Sequence, residues 1–251
     1  MLLIIIMLII LLFIIIILIY FIKMKEGLNN DNITVVSGYW NVKNKHDNKY
    51  NEWFKTTLDI NQKYIFFCDE TNKKYISKFR NKETHFIDYP LNNFYSKKYV
   101  KDDWYHEIHI PSKELGMIWN EKIHLLKVAK DNDSNPTDFY IWIDAGLSIY
   151  REKSPPKERL NLKNIDSLPK NKLCCSIVDN TVTGTSFMIH KDIIDYFHDK
   201  YYETLNSCNT GFECGIDQKI LTKMLEKYPE LFHKMNDGYG QVINDLYNLY
   251  I

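Results

Sequence analysis

Three charged side chains that are far apart in the sequence have the types and settings expected of a site for an anionic substrate. Asp144 follows the apolar run FYIWI, Lys122 interrupts the apolar face of a helical pattern, and Asp217 lies in the first turn of another such pattern. An ammonium can neutralise a phosphate or a carboxylate, and a carboxylate can hold or deprotonate a hydroxyl group. If the fold brings the three together, the chain can bind an anion and act on a hydroxyl beside it.

Asp144 ends an apolar stretch that is suited to a buried strand, and Asp69 ends the similar stretch KYIFFCDE. The carboxyl ends of strands in open α/β sheets face the crevice in which ligands bind, so both carboxylates are predicted to face solvent and substrate. Asp144 can also be interpreted as a purely structural residue, because the small residues Ala145 and Gly146 follow it. Aspartate in that setting is common as a turn former or as a helix N-cap.

The helix that contains Lys122 is predicted from apolar residues that recur with helical spacing. Its apolar arc comprises Leu115, Ile118, Trp119, Ile123, Leu125, Leu126 and Ala129, and its polar arc comprises Asn120, Glu121, His124 and Lys127. Lys122 falls near the middle of the apolar arc, where an unpaired ammonium is costly. The pattern predicts an anionic partner, either in a substrate or in a structural acid; alternatively, the side chain reaches the edge of the helix.

Asp217 belongs to the pattern CGIDQKILTKMLEKYPELF and shares a face with an apolar stripe. That stripe comprises Ile216, Ile220, Leu221 and Met224. A carboxylate that points inward at a helix start can hold a sugar hydroxyl or a developing alkoxide. The alternative needs no chemistry, because the helix dipole favours aspartate in the first turn.

Short apolar runs alternate with amphipathic stretches, which is the pattern of β-α units around a largely parallel sheet. Strands are predicted at residues 33–40, 63–70, 84–90, 139–146, 173–179 and 184–190. The predicted fold class is α/β, with helices flanking the sheet in one domain over residues 33–251. The 32 basic and 32 acidic residues are interspersed, which excludes the basic footprint of a nucleic-acid-binding protein.

Residues 1–22 contain neither a charged side chain nor a helix breaker. As a helix they would extend about 33 Å, enough to cross the ~30 Å hydrocarbon layer of a membrane. A cleaved signal peptide would have a shorter apolar core and small residues at the cleavage site, and neither is present. The sequence therefore predicts a retained transmembrane anchor, followed by a polar linker over residues 23–32.

The side of the membrane on which the domain lies stays open. Lys23 and Lys25 follow the apolar segment, which favours a cytosolic domain under the positive-inside rule. Two glycosylation sequons, which begin at Asn32 and Asn132, favour a lumenal one. The five cysteines are an odd number without metal-ligand spacing, and they predict no disulfide framework.

The order of several motifs resembles that of the HtrL/YibB-like family, which is itself similar to glycosyltransferases of the GT-A type. The motifs are VVSGYW, YIFFCDE, THFIDYP, IWNEKIHLL, FYIWIDAG, GTSFMIHKDIIDYF and GIDQKIL, and together they span nearly all of residues 33–232. The resemblance implies a GT-A-like fold with a nucleotide-sugar site. The step from fold to chemistry is an analogy between folds.

The resemblance also implies roles for individual residues. Ser37, Gly38 and Tyr39 would border the base, Asp69 would bind the base or ribose, and Asp144 would face the ribose and a divalent metal on the diphosphate. If transfer chemistry occurs and Lys122 points inward, its ammonium is the candidate cation for neutralising the leaving diphosphate. Asp217, which with Gln218 forms the D-Q helix start, would hold the acceptor hydroxyl or deprotonate it as an inverting base. Gly184 would let the backbone approach the donor sugar, although a plain turn is an equal alternative.

The chain departs from the family pattern at the metal site. Gly146 stands where a D-x-D motif would have its second aspartate. Mn²⁺ and Mg²⁺ need several hard oxygen ligands, so Asp144 alone supplies too few ligands unless His233 or another acid also binds the metal. A divalent cofactor is therefore doubtful on the sequence.

The predicted function is a membrane-anchored glycosyltransferase that uses a nucleotide-sugar donor and a glycan, protein or lipid acceptor. The alternative is a non-catalytic, membrane-anchored binding protein that retains the fold. The stretch FFCDETN superficially resembles the nucleophile motif of a phosphatase class, but it lacks the second aspartate of D-x-D-x-T.

Overall fold

The computed structural model describes residues 11, 13–18, 32–160, 168–208 and 211–248. The chain divides into two compact units, Met1–Asp31 and Asn32–Ile251. In the first unit, residues 11 and 13–18 are helical and their apolar side chains are exposed. Most of the predicted anchor, and the predicted linker up to residue 31, lie outside the described residues. Within the described part of the chain, no helix has both the length and the apolar character needed to cross a membrane.

The second unit is built on a seven-stranded mixed sheet with the order β3-β2-β1-β4-β6-β5-β7. The strands are β1 (Ile33–Gly38), β2 (Tyr64–Cys68), β3 (Thr84–Asp88), β4 (Phe139–Ile143), β5 (Leu173–Val178), β6 (Thr181–His190) and β7 (Phe232–Lys234). The first four strands are parallel, β6 is antiparallel to both β4 and β5, and β7 is parallel to β5. The predicted apolar runs are strands in the structure, while β7 has no counterpart among them.

The central strands of the sheet are buried on both sides, because helices pack against both of its faces. All five residues of β2 and of β4 are buried, as expected of parallel strands inside an α/β fold. Val36 and Trp142 pack toward one face and their neighbours Val35 and Ile141 toward the other. The first face carries α3 (Lys113–Asn132), α4 (Ile194–Ser207) and α5 (Asp217–Lys227), and the second carries α1 (Tyr50–Thr57), α2 (Glu70–Ile76) and α6 (Gln241–Asn248).

The strand order determines where a ligand can bind. β1 lies between β2 and β4, so the chain connections leave it in opposite directions. In sheets of this kind the crevice beyond the carboxyl ends of the two diverging strands is the usual ligand site. Gly38 ends β1 and Asp144 directly follows β4, which brings these two predicted residues to that crevice.

The predicted polar arc of α3 is wrong at Asn120 and Glu121, which are both fully buried. Glu121 accepts hydrogen bonds from the backbone N–H groups of Tyr95 and Ser96, at 2.8 and 2.7 Å. Asn120 accepts one from the hydroxyl of Tyr201 at 2.7 Å. These partners come from segments distant in sequence, so helical periodicity could not reveal that α3 packs on more than one side.

The cysteine prediction is corrected as well, because Cys208 and Cys214 form a disulfide. The other three, Cys68, Cys174 and Cys175, are free and buried in strands. The disulfide closes a short loop between α4 and α5, and Cys214 lies three residues before Asp217. It therefore restrains the segment that leads into the helix carrying Asp217.

Candidate functional site

A cleft of about 430 Å³ opens at the carboxyl ends of β1 and β4. Its lining includes Lys122, Asp144, Gly146, Gly184, Asp217 and Gln218, all predicted from the sequence to belong to one site. A smaller cavity of about 60 Å³ adjoins it beside Gly38 and Tyr39, and the two cavities share Lys122, Asp144 and Gly146 in their walls. The expected convergence of distant residues on one hollow therefore occurs.

Lys122 is the centre of the cluster, and only 4% of its surface is exposed. Its Nζ lies 2.9 Å from Asp144 Oδ1 and 2.8 Å from Asp217 Oδ2, and it donates a hydrogen bond to the carbonyl oxygen of Gly184 at 2.9 Å. The prediction that Lys122 needs an anionic partner is confirmed. Its burial also rules out the alternative in which the side chain extends to the helix edge.

Asp144 faces the cleft from the end of β4. Its Oδ1 accepts a hydrogen bond from the indole N–H of Trp142 at 2.7 Å, in addition to its contact with Lys122. Its backbone N–H donates to the carbonyl of Thr185 on β6, which continues the pairing of the two strands. Asp144 caps no helix in the described structure, and its side chain is 31% exposed. It is therefore the more accessible carboxylate of the pair.

Asp217 lies in the first turn of α5 with only 4% of its surface exposed. Its Oδ1 accepts a hydrogen bond from the N–H of Gln218 at 2.9 Å, while Oδ2 contacts Lys122. Apart from that ion pair, Oδ2 receives no hydrogen bond from the described residues. One carboxylate oxygen thus satisfies the helix start, and the other belongs to the charged cluster.

Gly184 has no side chain because Asp217 occupies the space that one would need. A Cβ at Gly184 would overlap Asp217 Oδ2 and would lie 2.8 Å from its Cγ and 2.9 Å from its Oδ1. The close approach expected at this glycine therefore involves a carboxylate of the chain itself. The glycine lets β6 and α5 come together around the ammonium of Lys122.

The electrostatic environment holds Lys122 charged. Burial opposes its charge, but Asp144 and Asp217 more than offset that effect, so the pKa of Lys122 lies above its ordinary value. Burial raises the pKa of Asp217; the ammonium opposes this shift and Asp144 adds to it. Two carboxylates share one cation, which makes Asp217 a stronger proton acceptor than an exposed aspartate.

Several other predicted residues have structural contacts that explain their types. Ser37 is buried and donates from its hydroxyl to the carbonyl of Ile143 at 2.7 Å, which joins the ends of β1 and β4. Tyr39 packs edge-on against Phe54, and a Cβ at Gly38 would lie 2.7 Å from the ring of Trp40. Gly38 and Tyr39 line the smaller cavity, whereas Ser37 lies behind it.

Asp69 and His233 are not brought to the cleft. The carboxylate oxygens of Asp69 both accept hydrogen bonds from Asn72, at 2.8 Å each, and this arrangement caps α2. His233 lies on the edge strand β7 and lines a separate cavity with Asp245. The expected pairing of His233 with Asp144 does not occur, because β4 and β7 are separated by β6 and β5.

The residues at the expected metal position do not fit a divalent cation. Asp144 Oδ1 already contacts an ammonium and an indole N–H, both of which repel a cation. The Cβ that Gly146 lacks would lie 2.7 Å from the ring of Tyr50 and 3.0 Å from that of Trp53, so no second carboxylate fits there. The described residues also contain no group of three or more His, Cys, Asp or Glu side chains placed to hold a metal.

Sequence reasoning missed Arg151, which also lines the cleft. Its Nε donates to the carbonyl of Gly146 at 2.8 Å, and its guanidinium carbon lies 3.7 Å from the ring centre of Trp53. The signal was present in FYIWIDAGLSIYR, where a basic residue follows the aspartate motif. The spacing of Arg151 from Asp144 gave no indication of where its side chain points, because a short 3-10 helix, Ser148–Tyr150, lies between them.

The fold is similar to that of a glycosyltransferase of known structure. Mouse xyloside xylosyltransferase 1, in its apo form, aligns with a TM-score of 0.50 at 11% identity over 81% of this chain and 84% of that one. The glycosyltransferase GlyE of Streptococcus pneumoniae TIGR4 aligns at 0.44 with 12% identity, over 82% of this chain and 45% of that one. The 4-diphosphocytidyl-2C-methyl-D-erythritol synthase of Anaerococcus prevotii DSM 20548 aligns at 0.43 with 10% identity, over 88% and 95%.

No protein-family model matches the chain, and no curated protein matches it. At 11% identity, the likeness to the xylosyltransferase concerns the fold alone. The chain thus has a GT-A-like mixed sheet with flanking helices, as the sequence predicted. Membership of the HtrL/YibB-like family is not shown by these matches.

Substituting Gly184 by Ala tests the packing of β6 against Asp217. The new methyl group should displace the carboxylate and destabilise the protein by about 1–3 kcal/mol, the usual cost of overpacking. In an Asp217→Ala background the same substitution should cost much less, because the overlapping atoms are gone. Urea unfolding of the single and double variants measures this coupling, and additive effects would contradict the proposed clash.

Substituting Lys122 by Met tests whether one cation holds two carboxylates together. Removing one partner of a buried ion pair should destabilise the protein by about 3–5 kcal/mol at neutral pH. Without the ammonium, the folded-state pKa of Asp217 rises further, so the folded state binds a proton more tightly than the unfolded state does. The deficit relative to wild type should therefore shrink as the pH falls toward 5 and grow as it rises.

Melting temperatures of wild type and Lys122→Met between pH 5 and 8 measure that deficit. The double variant Lys122→Met, Asp217→Asn serves as the control, because it removes the group that takes up the proton. Its deficit should depend much less on pH. A pH-independent deficit in Lys122→Met itself would show that the carboxylates do not depend on this cation.

Proposed function

We propose that this chain transfers a sugar from a nucleotide-sugar donor to a hydroxyl group of a glycan, protein or lipid acceptor. The observation that carries the proposal is the buried ammonium of Lys122, which joins Asp144 and Asp217 at the strand ends of a GT-A-like sheet. The motif order from VVSGYW to GIDQKIL supports membership of the HtrL/YibB-like family. Convergence of charged groups in a cleft at this edge of the sheet favours catalysis over a merely retained fold.

The donor nucleoside is assigned to the part of the site near Gly38 and Tyr39, where the smaller cavity adjoins the larger cleft. The larger cleft, which opens next to it, takes the diphosphate, the sugar and the acceptor. Asp144 is accessible from both and is suited to accept a hydrogen bond from a ribose or sugar hydroxyl. This arrangement follows the general rule that nucleotides bind across the crevice where the strand order diverges.

In the proposed reaction, the carboxylate of Asp217 accepts the proton of the acceptor hydroxyl. The acceptor oxygen forms a bond to the anomeric carbon, and the bond from that carbon to the diphosphate oxygen breaks. The electron pair of the broken bond leaves with the nucleoside diphosphate. Burial raises the pKa of Asp217, which suits a general base, and Lys122 acts as a positioning residue for both carboxylates.

The test is a binding and hydrolysis screen on the full-length chain with UDP-, GDP-, CMP- and dTDP-sugars. One donor class is expected to raise the melting temperature, and Asp144→Asn should abolish the shift. Asp217→Asn should retain donor binding but slow donor hydrolysis by about 100-fold or more, the usual contribution of a general base. Glu226→Gln, on the exposed side of α5, is the control variant and should behave as wild type.

Failure of every donor to shift the melting temperature would contradict the proposal and favour the non-catalytic binding protein. Donor binding with hydrolysis that is unaffected by Asp217→Asn would remove Asp217 from the reaction. In that case its carboxylate would have only the structural role of pairing with Lys122 and capping the start of α5.

We also propose that residues 1–22 anchor the chain in a membrane and that the second unit faces an oxidising compartment. The length and apolar composition of that segment support the anchor. The Cys208–Cys214 disulfide supports the oxidising side, because disulfides persist mainly in secreted, lumenal and periplasmic proteins. The sequons at Asn32 and Asn132 are consistent with that side.

Two measurements test this location. Replacing Ile14 and Ile15 by Arg should release the full chain from carbonate-washed membranes, because each arginine costs about 2.5–3.5 kcal/mol at the centre of a spanning helix. In denatured wild type, three of the five cysteines should react with a maleimide before reduction and all five after it. Continued pelleting of the variant would contradict the anchor, and five reactive thiols before reduction would contradict the oxidising side.

A further inference from the structure

Arg151 is a further cation in the cleft, in addition to Lys122 and Lys45, and its setting differs from that of Lys122. The described residues place no carboxylate within 4 Å of its guanidinium, whereas Lys122 contacts two. Within the described part of the chain, its hydrogen bond is the donation from Nε to the carbonyl of Gly146 at 2.8 Å. The two terminal nitrogens are therefore available to a ligand in the cleft that Arg151 lines.

The guanidinium is held in place although no described carboxylate pairs with it. Its carbon lies 3.7 Å from the ring centre of Trp53, within the range of a cation-π contact. Trp53 in turn packs edge-on against Tyr50 on the same helix, with ring centres 5.2 Å apart. The ring below it and the carbonyl at its Nε fix the plane of the guanidinium, so less side-chain freedom is lost when an anion binds.

The residues that hold Arg151 also exclude a carboxylate side chain that could bind a metal at position 146. Tyr50 and Trp53 fill the space of a side chain at Gly146, which is the position of the second aspartate in a D-x-D motif. Arg151 binds the carbonyl of that same glycine. Where a metal-dependent enzyme would have an acid and a divalent cation, this chain has a glycine and a fixed guanidinium.

We propose that Arg151 binds the diphosphate of the donor and neutralises the departing nucleoside diphosphate, in the place of a divalent cation. This inference rests on the proposed function and identifies how that site meets the leaving-group charge. A guanidinium offers two parallel N–H donors that match phosphate oxygens. A fixed cation aimed at a developing negative charge is the form of electrostatic stabilisation that transfer reactions require.

The test uses inorganic pyrophosphate as the probe and isothermal titration calorimetry on the full-length chain in EDTA. Wild type should bind pyrophosphate under these conditions, and added Mn²⁺ should not be needed. Arg151→Gln should weaken binding by about tenfold or more, the scale of a charge-assisted bidentate contact. Arg151→Lys, which keeps the charge but loses the two parallel N–H donors, should retain intermediate affinity.

Arg159→Gln is the matched control, because Arg159 is half-buried like Arg151, pairs with Glu83 and does not line the cleft. It should bind pyrophosphate as wild type does. Arg151→Lys also guards against misfolding, since its aliphatic chain can still cover Trp53. Melting temperatures of all variants identify any loss of binding that follows from unfolding.

The results separate this inference from the proposed function. Pyrophosphate binding that requires Mn²⁺, or that is unchanged in Arg151→Gln, overturns the role of Arg151 even if nucleotide sugars bind. No pyrophosphate binding by wild type in EDTA overturns it as well. Pyrophosphate binding through Arg151, combined with no response to any nucleotide sugar, supports the anion site and contradicts the glycosyltransferase.

Discussion

The cleft depends on one constraint, which is that a buried ammonium must have anionic partners. Lys122 projects from the middle of a helix that packs on the sheet, and its desolvation is tolerable only if carboxylates reach it. Asp144 meets it from the end of β4 and Asp217 from the first turn of α5. The cost of leaving the charge unpaired thus ties together three elements that are far apart in the chain.

Two glycines make this arrangement sterically possible. At Gly184 the missing side chain makes room for the carboxylate of Asp217, and at Gly146 it makes room for the rings of Tyr50 and Trp53. Neither residue is required for a left-handed backbone, because neither has a positive φ. Their role is close approach, because each leaves space for a side chain that lines or supports the cleft.

Much of the scaffold was predictable from sequence, because buried parallel strands are continuous apolar runs of a length that helices rarely have. The need for an anion at Lys122 was also predictable, since it depended only on helical periodicity. The burial of Glu121 was not, because its partners are backbone N–H groups of Tyr95 and Ser96. Periodicity describes one face of a helix, and α3 is enclosed on several.

Features that depend on irregular segments of the backbone could not be predicted from the sequence either. Arg151 follows a 3-10 turn, so strand alternation could not give its direction. The partnership of Cys208 with Cys214 depends on a loop whose closure no spacing rule specified, and β7 has only three residues, too few to stand out as an apolar run. In each case the decisive information is the path of the chain between regular elements.

The charges of the cleft must finally be considered together. Two carboxylates and one ammonium leave the Lys122 cluster with a net charge of −1 when all three are ionised. Unit charges 4 Å apart near a protein surface interact with about 4 kcal/mol, so this cluster by itself would repel a diphosphate. Lys122 therefore cannot be both the partner of two aspartates and the main counter-charge of the substrate. Arg151, which lines the cleft and has no described carboxylate within 4 Å, supplies a counter-charge that makes an acidic cluster compatible with an anionic donor.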